Sequence, residues 1–99
     1  MFKMWHYKLP EKEVTKEELF LYVEKLKADE GNFVSFENDN GDSLQIVKLD
    51  KNSYLIDIPQ ISNKIVQTIV KKEKLIEILE TFSQNGNWKN LCDWEEKFV

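Results

Sequence analysis

The chain has 99 residues, 41% hydrophobic and 32% charged, with a formal net charge of −4. That length and balance predict one compact domain, 1–99, exclude a disordered tail, and leave no apolar run near the roughly 20 residues a membrane helix needs. All the basic residues are lysine, so an acidic chain without arginine's bidentate fork is excluded as a ligand for nucleic acid.

Met1 to Leu9 alternates, with Trp5, Tyr7 and Leu9 on one face and Phe2, Met4, His6 and Lys8 on the other. This pattern predicts a strand that Pro10 ends, because proline cannot donate to a ladder. The segment has no uninterrupted apolar region and no small-residue cleavage site, so it is not read as a signal peptide. His6, the only histidine, is read as an ordinary strand residue.

Thr15-Lys16-Glu17-Glu18 is a capping-box pattern, flanked by Val14 and Leu19 at the staple positions. Leu19, Phe20, Tyr22, Val23 and Leu26 form an apolar stripe at helical spacing, which predicts a helix to about Asp29 or Glu30 with Gly31 as its stop. Glu17 and Glu18 at its start and Lys25 and Lys27 at its end complement the helix dipole.

Residues 32–70 read as strand, turn, strand, turn, strand, turn, strand. The strands are Asn32–Glu37, Ser43–Leu49, Tyr54–Ile58 and Asn63–Val70. Asn40-Gly41 predicts a tight hairpin turn, because both residues tolerate positive φ. Asp50-Lys51-Asn52-Ser53 marks the second turn and Pro59 the third break. Several of these strands are apolar on both faces, which implies that part of the sheet is covered on both sides. Lys71 to Asn85 predicts a second helix with Leu75, Ile76, Leu79 and Phe82 as its buried stripe and Asn85-Gly86 as its stop. Trp88, Leu91, Cys92 and Trp94 are too dense for a free tail, so this last segment is expected to fold back as a short strand or helical turn. The fold class expected is α+β: a mostly antiparallel sheet in the order β-α-β-β-β-β-α plus a short C-terminal segment, with helices packed on it.

Catalytic and metal chemistry find no constellation. Cys92, the single cysteine, lacks a general base and reads as an inert thiol in a reducing, cytoplasmic compartment. Asp39-Asn40-Gly41-Asp42 fails as a calcium loop because Phe36 occupies the first ligand position. No glycine-rich phosphate loop is present, so no cofactor and no enzymatic activity are expected. Binding to a protein remains. Between Ala28 and Asp57 seven acids face two lysines, whereas Ile58 to Lys74 carries four lysines against Glu73. An acidic meander steers a basic partner, and tryptophans beside acids are frequent interface anchors. The expected partner-binding residues are Glu37, Asp39, Asp42, Asp57, Trp88, Asp93, Trp94 and Glu95.

The early helix Val14–Lys27, the strand Phe33–Glu37 leading to Asn38-Asp39-Asn40-Gly41, and the strands Leu44–Leu49 and Tyr54–Ile58 form an ordered set. With the helix Leu75–Phe82, Trp88 and the Asp93-Trp94-Glu95 end, it resembles the immunity proteins of bacterial polymorphic-toxin and contact-dependent growth-inhibition systems. The resemblance implies a small cytoplasmic protein, without a membrane segment, that binds a basic cognate toxin domain, often a nuclease, and blocks it. It carries no catalytic residues over. A non-catalytic structural or regulatory subunit is the alternative, and the expected state is a monomer or weak homodimer.

Overall fold

The computed structural model describes residues 1–59 and 63–98; the residues that follow the Pro59 break, 60–62, and the terminal Val99 lie outside them. The strands are β1 (Phe2–His6), β2 (Lys12–Val14), β3 (Val34–Glu37), β4 (Ser43–Asp50), β5 (Ser53–Ile58), β6 (Lys64–Lys71) and β7 (Glu95–Phe98). The helices are α1 (Lys16–Lys25) and α2 (Lys72–Ser83), with a 3-10 turn at Trp88–Leu91. The class is α+β, as expected. Among the described residues the strands make one sheet in the order β2-β1-β3-β4-β5-β6-β7, and every neighbouring pair is antiparallel.

The two helices are the crossovers of this sheet. α1 carries the chain from β2 at one edge over β1 to β3, and α2 carries it from β6 to β7 at the other edge. Both lie on one face. Leu19, Val23 and Leu26 from the first helix segment and Leu75, Ile78, Leu79 and Phe82 from α2 are buried against Met4, Val34, Phe36, Leu44, Ile46, Tyr54 and Ile56. Each such side chain contributes about 1.5–3 kcal/mol when removed from water. Phe2 stacks on Phe82 at 6.2 Å between ring centres, and Trp88 meets Phe82 edge-on at 5.6 Å. Side by side on the sheet, the helices are joined by ion pairs from Lys16 to Glu80 and from Lys72 to Glu24.

Several local expectations are corrected. The sheet is covered on one side, not two: its other face carries no helix among the described residues. β1 stops at His6, because the Leu9 N–H donates to the His6 carbonyl and the Lys8 N–H to His6 Nδ1, which turns the chain into β2. The capping box of α1 is present, Thr15 accepting from the Glu18 N–H and Glu18 from the Thr15 N–H. The helix nevertheless ends at Lys25, five residues before Glu30. Leu26 leaves in extended conformation to reach the core, and Lys27 to Glu30 offer only the small, exposed Ala28 as an apolar side chain to hold a further turn. Gly31, at φ 85°, serves the following turn instead. The Asn40-Gly41 hairpin is a wider loop, 38–42, in which only Gly41 has positive φ. The last segment is the 3-10 turn followed by β7, which pairs with β6 as an edge strand.

Candidate functional site

The uncovered face of the sheet follows from strand parity. Residues that alternate with the core positions point away from the helices, and cross-strand pairing lines them up. One continuous row runs Trp5, Ser35, Gln45, Asp57, Gln67, Glu95 across β1, β3, β4, β5, β6 and β7. Five strand spacings make it roughly 24 Å long. The next row toward the β4–β5 turn is apolar: Val47, Leu55 and Ile69 stand opposite one another, and Ile69 is 64% exposed. On the other side Lys3 stands between Glu13 and Glu37, and Ile65 stands opposite Lys97.

Asp57 is the centre of the polar row. Its side chain is half-buried between the glutamines of β4 and β6, and no hydrogen bond or ion pair from a described residue reaches it. Burial therefore acts alone and holds its carboxyl above the usual aspartate range. Aspartate is disfavoured within strands, and an uncompensated charge loses hydration there. By contrast Ser35, the buried member of the row, donates its hydroxyl to the Leu44 carbonyl at 3.1 Å.

The expected partner-binding residues divide into two groups. Glu37, Asp57 and Glu95 lie on the open face. Asp93, Trp94 and Glu95 line a cleft of about 300 Å³ with Gln67 and Ile69, so the acidic C-terminal stretch adjoins that face. Asp39 and Asp42 lie instead in the β3–β4 loop at one end of the sheet. Trp88 is 1% exposed and belongs to the core; its indole N–H donates to Asp42 at 3.2 Å. Its ring is thereby closed to a partner. Trp94 is partly buried, packs edge-on against Trp88 at 5.8 Å and donates to the Lys89 carbonyl.

Trp5, Gln45, Leu55, Gln67 and Ile69 escaped the sequence reading. Strands with apolar residues on both parities carry that signal, and two-sided burial accounts for the same pattern.

His6 and Cys92 belong to separate neighbourhoods. His6 packs beside Tyr7 and Tyr22, and burial with nearby Lys8 lowers its pKa. Cys92 lies by Thr68 of β6, and burial pushes its thiol up. Among the described residues no three His, Cys, Asp or Glu side chains converge as a metal site, and no helix is long and apolar enough to cross a membrane. A cleft of about 670 Å³ beyond α1 is lined by Lys25, Lys27, Lys48 and Lys51. Lysines there complement the negative end of the helix dipole, so that cleft has a structural account. No family model, curated protein or solved structure matches the chain.

Proposed function

We propose that this chain is a binding protein that neutralises a basic toxin domain, such as a nuclease, by covering it with the open face of the sheet. The protein acts by occlusion, without catalysis, in the cytoplasm where such a toxin works. The observation that carries this reading is the row centred on Asp57: among the described residues it is a half-buried, unpaired carboxylate beside an apolar strip, on a face without a covering helix. Apolar area supplies affinity, and acids at its border steer a basic partner and exclude wrong ones. The resemblance of the element order to toxin-immunity proteins supports the choice of partner. Expressing the chain beside the toxic domain encoded next to its gene tests it. Restored growth and a co-purifying complex are expected; a toxic neighbour that does not bind overturns the reading.

A second reading, a structural or regulatory subunit, draws on β7. This edge strand leaves Phe98 83% exposed, and unpaired edges invite strand addition. Light scattering decides it: a monomer at high concentration excludes a homodimer through β7.

A further inference from the structure

We propose that Asp57 is the docking carboxylate for a lysine or arginine side chain of the partner that covers the open face. The inference rests on the reading of the chain as a toxin-binding protein, and it names the group that binding turns on.

Three observations lead to a cation. First, among the described residues no lysine of the face pairs with Asp57: Lys97 pairs with Glu95 at 3.1 Å, Lys3 stands in register between Glu13 and Glu37, and Lys71 stands opposite Ser53 at the other end of β5, near Asp50. Asp57 is left with two neutral glutamines as lateral neighbours. Second, its environment already removes part of its hydration without replacing it. A partner's ammonium or guanidinium would offset that loss, and covering the face would strengthen the attraction by excluding water. A partner that brought only apolar groups would instead bury a bare carboxylate, which is strongly unfavourable. Third, Leu55 lies two residues along β5 on the same face, between Val47 and Ile69. That strip receives the aliphatic stem of a long basic side chain while its charged head reaches Asp57. Glu13 and Glu37 outnumber the Lys3 that stands between them, so that end of the face keeps a negative charge.

Titration calorimetry with the purified, catalytically inactivated domain encoded beside this gene tests the proposal. Asp57→Asn keeps shape and removes charge, and it is expected to weaken the complex by about tenfold or more. Asp57→Lys should abolish binding, whereas Glu73→Gln on the far side, in α2, should leave it unchanged. A lysine-to-aspartate or arginine-to-aspartate change in the domain that restores binding to Asp57→Lys would confirm the pair, and misfolding could not produce that rescue. Wild-type affinity in Asp57→Asn, together with loss of binding in Leu55→Arg, would overturn the cation and leave the binding face. Absence of any complex with the unaltered chain would overturn both.

Discussion

The side-chain amide of Asn38 donates to the main-chain carbonyl of Phe82 across 3.1 Å, tying the loop after β3 to the last turn of α2. The same side chain's oxygen accepts from the N–H groups of Asn40 and Asp42 at 3.1 and 3.0 Å. One residue, 5% exposed, thus shapes the 38–42 loop and gives the Phe82 carbonyl a side-chain partner besides the Asn85 N–H, which donates to it at 3.1 Å. Asn40 adds a second tie, to the Asn85 carbonyl at 3.3 Å.

Asn38→Ala should therefore lower stability by about 2–3 kcal/mol, since it removes three hydrogen bonds that join the loop to itself and to α2. Asn38→Asp should also destabilise, because a carboxylate cannot donate to Phe82. Urea denaturation measures both; a midpoint unchanged in either variant would contradict the role assigned here.

Gly86 follows Asn85, which takes the left-handed conformation at φ 59° after α2. A Cβ on Gly86 would lie 2.8 Å from Thr81 Cγ2 and 3.3 Å from the Thr81 carbonyl oxygen. Gly86→Ala is expected to cost about 1–2 kcal/mol. Thr81→Ser removes the clashing methyl group, so the double variant should recover much of that loss. Additive losses in a double-mutant cycle would show that the strain lies elsewhere.

Trp88 joins the C-terminal segment to the core through Phe82, Trp94 and Asp42. Trp88→Ala should lower stability by about 3–5 kcal/mol through the cavity it leaves. Trp88→Phe keeps much of the volume and loses the bond to Asp42, so a smaller loss, about 1–2 kcal/mol, is expected. Thermal unfolding distinguishes the two. Equal losses would mean that ring volume is unimportant at this position.

The raised pKa of Asp57 also sets a pH dependence. Because the folded value lies above the ordinary 3.8, the folded state holds this proton more tightly than the unfolded chain. The group therefore destabilises the fold at neutral pH. That penalty fades as pH falls through the folded pKa and is absent below the unfolded one. Asp57→Asn should match or exceed the wild type in stability at pH 7, and the difference should vanish near pH 3. A clear loss of stability at pH 7 would point to a structural duty for this carboxylate.

Sequence alone determined the class, the local elements and most of the core. The capping box at Thr15–Glu18, the α2 stripe Leu75-Leu79-Phe82 and the alternation Val34-Phe36, Leu44-Ile46 and Tyr54-Ile56 are short-range patterns, and hydrophobic periodicity fixes which side is buried. It also placed the break at Asn85-Gly86, since few residues adopt positive φ. What it left open depended on distant partners. Leu26 satisfies both a longer helix and an extended exit, and only the position of the core selects the exit. Trp88 and Trp94 look alike as aromatic residues near acids, yet Trp88 is enclosed by Phe82 and by Asp42, the latter 46 positions away in sequence. The tertiary structure also decided which apolar strand residues meet helices. Both crossovers pass over the same face, so Leu55 and Ile69 remain on the open side, and the five pairings from Trp5 to Glu95 bring Asp57 to its centre. Register and crossover side are long-range properties, set by packing across the sheet.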